Sequence, residues 1–277
     1  MSWTTPAPEQ LRDALYKGDL VRLPPVPASR ALVRRAKARL VDELGPQPRE
    51  AVHHLSGAEL FRRLGRVRKS LYLDPRTVEE IADLLHQHGL QPAEWATDPA
   101  RLRVVHPHGE DNPAAAAVYA VHRDTWYGHP PALITWWVPL DDLPADQTFE
   151  FWPGHLSRPV PNDSEVFDYD DWVSRGWSLK IGWQDAEAGL KARYPAFLGE
   201  RAELGAGLGF DAQEAESRLF AGAHLHATRP HAAARTRFSL DFRIAHLADV
   251  AAGRGAPSVD DRSRGSSLPD YIRLPAR

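Results

Sequence analysis

The sequence predicts an α+β protein, with helices first and an antiparallel β-sandwich or barrel after them. Two amphipathic stretches with helical spacing lie within residues 1–99. From about residue 100 the pattern changes to short runs rich in β-branched and aromatic residues, separated by Pro, Gly and Asp. Helical patterns followed by several short strands are typical of α+β architectures rather than of alternating βαβ folds.

The two helices are predicted from apolar residues repeating every three or four positions, with charged residues between them. The first stretch reads SRALVRRAKARLVDELG (29–45) and the second DPRTVEEIADLLHQHGL (74–90). Each begins at a residue that commonly caps helices and ends at a glycine. The predicted caps and stops are Ser29 with Gly45 and Asp74 with Gly89.

The strands are predicted from six runs, in two groups separated by a polar, aromatic stretch. The first group is RLRVVHP, AAVYAVHRD, ALITWWVPLDD and FEFWPGH. The second group is SRLFAGAHLHAT and RTRFSLDFRIAHL, and the last thirty residues look irregular. The intervening stretch contains the helix-like DAEAGLKARYPAFL. We therefore expect one domain over 1–277, with a mainly helical part (1–99), a β core (100–155 and 215–247) and an insert or lid (156–214).

Composition excludes several classes of protein. Of 277 residues, 43% are hydrophobic and 26% charged, and the formal net charge is −3, as in ordinary globular proteins. That charge gives no reason to expect a nucleic-acid or membrane partner. No apolar run approaches the roughly 18 residues of a membrane span, and the N-terminus lacks secretory-signal features, so we expect a cytoplasmic protein. Because the chain has no cysteine, any metal ligands must be His, Asp or Glu.

A His-x-Asp pair is the first candidate for chemistry. In YAVHRDTWYGHPP (119–131), His122 and Asp124 stand two residues apart, where alternate strand positions share a face. With thirteen histidines in the chain, roughly one such pair is expected by chance, so the motif by itself is weak.

The strand TRFSLDFRI supplies a second candidate. Its strict alternation gives an apolar face and a polar face, on which Arg237 and Ser239 are neighbours. A guanidinium beside a hydroxyl suits a carboxylate ligand, although an ordinary polar surface face would show the same pattern. The preceding run carries His224 and His226, and short connections usually join antiparallel neighbours. We therefore expect a histidine and an anion-binding arginine close together.

Taken together, these segments resemble the 2-oxoglutarate/Fe(II) oxygenases of the phytanoyl-CoA dioxygenase type. The matching parts are HRD (122–124), ITWWVPLDD (134–142), FEFWPGH (149–155), and His226 followed eleven residues later by Arg237. The family's usual Pro-Gly-Ser-His turn lacks its Ser here, and Asp-Gln-Thr (146–148) replaces an Asn-Gly. The resemblance covers residues 100–245 and implies a double-stranded β-helix, also called a jelly-roll or cupin-like core.

The resemblance also implies residue roles and cosubstrates. Fe(II) would be held by His122, Asp124 and His226, with 2-oxoglutarate and O₂ as cosubstrates. The cosubstrate-binding candidates are Arg237, Ser239, Trp137 and Thr228. His224 remains an alternative to His226, while Arg235 and Arg243 remain alternatives to Arg237. His155 and His231 are expected at solvated turns.

For the substrate, the insert mixes tryptophans with Asp168, Asp170 and Asp171, which would suit a polyhydroxylated or cationic small molecule. The motif HRDTWYG with WWVPL is similar to oxygenases of orthosomycin antibiotic biosynthesis, which oxidatively close rings on oligosaccharides or aminoglycosides. Substrate-binding candidates are Trp126, Tyr127, Trp172 and Trp177. The resemblance therefore implies hydroxylation or ring closure on a sugar, oligosaccharide or aminoglycoside. The alternatives are a metal-binding cupin-like protein without oxygenase activity and a carbohydrate-binding protein.

Overall fold

The computed structural model describes residues 3–112, 115–175 and 193–277. Within them the helices are α1 (Leu11–Tyr16), α2 (Pro27–Leu44), α3 (Gly57–Tyr72), α4 (Pro75–Gln87), α5 (Ala116–Tyr119), α6 (Tyr169–Ser174) and α7 (Leu247–Ala251). The strands are β1 (Val21–Leu23), β2 (Trp95–Thr97), β3 (Arg101–Val105), β4 (Ile134–Pro139), β5 (Phe149–Phe151), β6 (Ser217–Ala221), β7 (His226–Thr228), β8 (Arg237–His246) and β9 (Ile272–Arg273). The predicted mixture of helices and antiparallel strands is confirmed.

A seven-stranded antiparallel sheet is the centre of the molecule. Its order is β1-β6-β4-β8-β2-β9, and β3 also pairs with β8. The ten-residue strand β8 shows the predicted alternation, with Phe238, Leu240, Phe242 and Ile244 all in the main hydrophobic core. The polar residues of β8 alternate with these and point to the opposite face of the sheet.

Helices α2, α3 and α4 cover the apolar face of this sheet. Leu32 and Leu40 of α2, Leu64 of α3 and Ile81 of α4 belong to one core cluster with the sheet residue Trp136. Each such side chain contributes about 1.5–3 kcal/mol by leaving water. The cluster therefore ties the helical N-terminal part firmly to the strands that carry the polar face.

The ends of α2 and α4 agree with the predicted caps and stops, except at the start of α2. Asp74 caps α4 by accepting from the Arg76 N–H at 3.0 Å, and Gly45 has the positive φ of a helix stop. Ser29 is not the cap of α2, because the proline at position 27 begins the helix two residues earlier. The buried Ser29 hydroxyl instead accepts from the Val26 N–H at 3.0 Å.

A two-stranded sheet of β5 and β7 packs on the polar side of the large sheet. Phe149 lies 5.1 Å from Trp137 and Phe151 lies 4.9 Å from Phe220, between ring centroids. The expectation that the His226 strand pairs with the Arg237 strand is wrong, because β7 pairs with β5 and β8 with β2, β3 and β4. The 229–236 connection crosses from the small sheet to the large one. The two strands are therefore not paired, but residues of both line the same cavity.

Two further segments differ from the sequence expectations. Residues 116–119 form the short helix α5 rather than a strand, and strand-like pairing begins only at His122, in an isolated bridge to His226. The last thirty residues, expected to be irregular, contain β9, which extends the large sheet beside β2. The helix-like stretch at 185–198 lies outside the described residues up to position 192, and 193–198 is not helical.

No helix in the described ranges is both long enough and apolar enough to cross a bilayer.

Candidate metal and cosubstrate site

Three of the predicted ligand residues meet at one end of the cavity between the two sheets. One ligand atom each from His122, Asp124 and His226 lies within 4.8 Å of the others. The His122 and His226 ring centroids are 4.4 Å apart, and His122 Nε2 lies 3.8 Å from Asp124 Oδ1. The structure thus brings together the three residues that the family resemblance implied.

Local backbone geometry produces this arrangement. The backbones of His122 and His226 exchange two N–H···O bonds of 3.0 Å, which sets the two imidazoles side by side. Arg123 is extended, with φ −114° and ψ 141°, so the side chains of His122 and Asp124 leave on the same side. Asp124 then opens a 3-10 turn rather than continuing a strand. Two side chains two positions apart leave on the same side whenever the residue between them is extended. The prediction from the i, i+2 spacing therefore holds, although Asp124 is not in a strand.

Backbone carbonyls fix the orientation of both imidazoles. His122 Nδ1 lies 2.9 Å from the Ala120 carbonyl, and His226 Nδ1 lies 3.0 Å from the His224 carbonyl. Since a carbonyl can only accept, each Nδ1 carries the proton and each Nε2 keeps a lone pair. Outer hydrogen bonds of this kind are usual for metal-ligating histidines.

The carboxylate of Asp124 is held from two sides. Its Oδ2 accepts from the Thr135 hydroxyl at 2.5 Å, and its Oδ1 lies 3.4 Å from Arg243 Nη2. Burial would raise the pKa of Asp124, but the Arg243 guanidinium and the Thr135 hydroxyl hold it far below its usual range. Asp124 is therefore an anion at neutral pH, as a metal ligand must be.

The imidazoles are neutral for the opposite reason. Burial and the neighbouring His226 lower the pKa of His122 to about 3. Burial likewise lowers the pKa of His226, against the pull of Asp124. Two neutral imidazoles and one carboxylate, on one wall of a cavity, match the donor set of the two-histidine-one-carboxylate iron sites that keep positions open.

A cavity of about 470 Å³ extends from these residues, and Arg237 lines it. The Arg237 side chain is 1% exposed, its Nη1 donates to the Gln147 carbonyl at 3.2 Å, and its guanidinium lies 5.3 Å from the Phe149 ring centroid. Among the described residues no carboxylate forms an ion pair with it, and its Nε has no hydrogen-bond partner. Burial lowers the pKa of Arg237 to about 10. It is a buried cation that still has room for an anionic ligand.

The rival arginines are already engaged. Arg235 is mostly exposed and lies 3.2 Å from Glu50. Arg243 is buried between Asp98 and Asp124, 3.4 Å from each. Of the three candidates, the geometry favours Arg237 for a dicarboxylate cosubstrate.

The other cosubstrate candidates divide into two groups. Thr228 lines the cavity, opposite Phe149 in the small sheet. Ser239 lies on the same face of β8 as Arg237, but it is fully buried, does not line the cavity, and its Oγ has no hydrogen-bond partner among the described residues. Trp137 also does not line the cavity, since it packs in the aromatic cluster beneath Phe149.

His224 and His231 supply no ligand to the cluster. His224 lies in the turn before β7, fully buried against the Phe151 ring at 6.0 Å between centroids, and outside the group of potential ligands. His231 was expected at a solvated turn but is 4% exposed, with Nε2 3.3 Å from the Val105 carbonyl. The expectation was wrong because His231 packs against the end of β3, and its carbonyl also accepts from the His108 N–H at 3.0 Å.

The substrate candidates have different positions. Tyr127 and Trp172 line the cavity. Trp126 does not, because it is fully buried with its Nε1 donating to Asp260 at 2.9 Å. Trp177 lies outside the described residues.

The insert carboxylates do not line the cavity. Asp168 accepts from the N–H groups of Asp170 and Asp171 at the start of α6, and Asp171 pairs with Arg175. These three carboxylates therefore give no support to a cationic ligand in this cavity.

Sequence reasoning missed part of the cavity wall. Arg101 and Arg103 line it from β3, where their i, i+2 spacing in RLRVV could have indicated a shared face. The C-terminal segment contributes Asp270, Tyr271 and Ile272. Nothing in the pattern of the last thirty residues indicates that they reach the site.

The chain is similar to several solved structures. A protein described as non-heme monooxygenase ThoJ in its apo form shares 15% identity, with 92% of this chain and 88% of that chain covered and a TM-score of 0.44. EvdO2 from Micromonospora carbonacea var. aurantiaca, complexed with 2-oxoglutarate, shares 14% identity, with coverages of 88% and 92% and a TM-score of 0.43. The epimerase SnoN, in complex with Fe3+, alpha ketoglutarate and nogalamycin RO, shares 16% identity, with coverages of 92% and 97% and a TM-score of 0.44.

No protein-family model and no curated protein matches the sequence. The descriptions above belong to those neighbours, and the function of this chain is inferred from its own site.

Proposed function

We propose that this protein is an Fe(II)/2-oxoglutarate-dependent oxygenase that oxidises an aliphatic C–H bond of a small molecule. One observation carries the proposal. Two neutral imidazoles and a carboxylate converge on the same cavity that holds a buried arginine without a carboxylate partner among the described residues. A site that only bound a metal would have no use for such an arginine, whose burial is costly unless an anion joins it.

Each residue has a distinct task in the proposal. His122, Asp124 and His226 would hold Fe(II), which would couple reduction of O₂ to oxidative decarboxylation of 2-oxoglutarate and to substrate oxidation. Arg237 would pair with the far carboxylate of 2-oxoglutarate. Thr228 lies two residues after His226 on β7 and would donate a hydrogen bond to the same cosubstrate.

Phe149 supports this placement of 2-oxoglutarate. Its ring centroid lies 6.1 Å from that of His226 and 5.3 Å from the Arg237 guanidinium. One aromatic ring therefore touches both the metal-binding end and the arginine, so the cosubstrate would extend along it. Ser239 would contribute only if its buried hydroxyl became accessible when the cosubstrate enters.

The two sheets enclosing the site also support the double-stranded β-helix expected from the sequence, in one domain over 1–277.

For the substrate we propose a saccharide-like molecule. The cavity wall carries aromatic rings and tyrosine hydroxyls, including Tyr127, Tyr169, Trp172 and Tyr271. Flat rings with hydroxyl groups stack on sugars and bind their hydroxyls. A volume of about 470 Å³ lies within the range of small-molecule sites.

The test is an anaerobic titration followed by turnover. Protein loaded with Fe(II) should develop a weak visible charge-transfer band when 2-oxoglutarate is added, and should form succinate in air. Sugars and aminoglycosides that stimulate succinate formation would identify the substrate class. Metal binding without the band or succinate would contradict the oxygenase proposal and favour a metal-binding protein of another kind.

A further inference from the structure

A buried arginine lies between the two metal-ligand candidates of one segment. Arg123 is 1% exposed and points away from the cavity. Its Nη2 donates to the His155 and Arg158 carbonyls at 2.8 and 2.9 Å, and its Nη1 donates to the Ala223 carbonyl. Ala223 belongs to the turn just before β7, which carries His226. One guanidinium therefore connects both segments that bring ligands to the site.

The carboxylate paired with this arginine comes from the C-terminal segment. Asp260 Oδ1 lies 3.1 Å from Arg123 Nε. The same carboxylate accepts from Trp126 Nε1 and from the Val160 N–H, each at 2.9 Å. Arg123 comes one residue before Asp124, and Trp126 comes two residues after it. Asp260 thus holds the ligand segment on both sides of Asp124.

A contribution to the stability of the fold is a poor explanation for the buried ion pair of Arg123 and Asp260. A buried ion pair is often no more stabilising than well-packed apolar residues of similar size, because both charges must leave water. What the pair adds is direction, since a carboxylate with three donors fixes the positions of all three. Here two of the three donors belong to the four residues 123–126, which include a metal ligand.

We propose that Asp260 is a positioning residue for the metal site, acting through Arg123 and Trp126 on the geometry of Asp124. The proposal rests on the metal site of the proposed function. It gives the C-terminal segment a role in the chemistry that its irregular sequence does not indicate. Loss of the Asp260 charge should therefore weaken metal binding more than its effect on stability would explain.

The test compares Asp260→Asn with a control that breaks a different buried ion pair. Asn keeps the shape of Asp but leaves Arg123 without a counter-charge. The control is Glu80→Gln, which disrupts the pair between Glu80 and Arg35 Nε, 2.9 Å apart on α4 and α2 and away from the cavity. The measurements are anaerobic Mn(II) affinity, the visible spectrum of the Co(II)-loaded protein, and Tm.

Asp260→Asn should lower metal affinity about 10- to 100-fold, the usual range for residues that orient metal ligands, and should change the Co(II) spectrum. Glu80→Gln should lower Tm while leaving affinity and spectrum as in the wild type. Wild-type affinity and spectrum in Asp260→Asn would overturn the proposal. So would an equal loss of affinity in Glu80→Gln at the same loss of Tm.

If Asp260→Asn does not fold, Trp126→Phe decides the question. It removes one donor to Asp260 and keeps the ion pair, so affinity should fall several-fold in a folded protein, and unchanged affinity would overturn the proposal. A wild-type protein that binds Mn(II) but forms no succinate would refute the oxygenase function and leave the role of Asp260 standing. Wild-type protein that binds no metal would refute the proposed metal site itself.

Discussion

Replacing Arg237 should separate cosubstrate binding from metal binding and from stability. Burial lowers the pKa of Arg237 from 12.5 to about 10, which corresponds to about 3 kcal/mol disfavouring its charged form in the folded protein. A bound carboxylate would offset that cost. Arg237→Ala should therefore lose about 3 kcal/mol of 2-oxoglutarate binding, within the 2–5 kcal/mol typical of truncating one partner of a buried charge pair.

That loss corresponds to about a 100-fold higher 2-oxoglutarate concentration for half-maximal succinate formation. The assay varies 2-oxoglutarate at saturating Fe(II), and Mn(II) affinity measured separately should be unchanged because Arg237 is not a ligand. Arg237→Lys keeps the charge without the planar fork, so its effect should be smaller.

Arg237→Met is expected to stabilise the protein without cosubstrate, and the assay is thermal unfolding. It keeps the apolar stem and removes a buried cation that has no carboxylate partner among the described residues, so the protein without cosubstrate should unfold at a higher Tm. An unchanged 2-oxoglutarate dependence in Arg237→Ala, with a lower Tm in Arg237→Met, would show that the guanidinium is a structural group. The cosubstrate would then have to bind elsewhere on the cavity wall.

Three other predictions concern the ligands and pH. His226→Ala should abolish tight Mn(II) binding while His224→Ala should retain it, and the reverse result would exchange their assignments. Thr135→Val removes the 2.5 Å hydrogen bond to Asp124, so Mn(II) affinity should fall about 10-fold or more, and wild-type affinity would show that this bond does not orient the carboxylate. Burial lowers the pKa of His88 from 6.5 to about 4, so its neutral form favours folding above pH 6.5 and that contribution is lost as the pH falls toward 4. His88→Leu should therefore make Tm less sensitive to acid over this interval, and an identical pH profile would contradict the burial argument.

The sequence predicted the structure correctly where the structure depends on the spacing of residues a few positions apart. The alternation in TRFSLDFRI determined which face of β8 enters the core, because successive strand residues point to opposite sides. The helical period and Asp74 determined α4 in the same way. At the site, His122, Asp124 and Arg237 were identified from short spacings and from the resemblance, and the structure brings them to one cavity.

Other features depended on contacts between distant segments, which no local pattern contains. The His226 strand pairs with β5 instead of its neighbour in sequence, because the connection crosses between sheets. Trp126 was a substrate-binding candidate and Trp137 a cosubstrate-binding candidate, but packing places both outside the cavity wall. Only the structure excluded Arg243 as the cosubstrate-binding arginine, because Asp98 and Asp124 each lie 3.4 Å from it.

The sequence by itself therefore determined the mixed helical and antiparallel fold class, the central strand and the residue types of a candidate metal and anion site. Periodicity and donor chemistry are properties of residues a few positions apart. Only the tertiary structure showed that Asp260 reaches Arg123 and Trp126, separated from it by 137 and 134 positions along the chain. Such pairs form because a buried polar group must find a partner somewhere in the fold, and the folded core, not the local sequence, sets which partner is within reach.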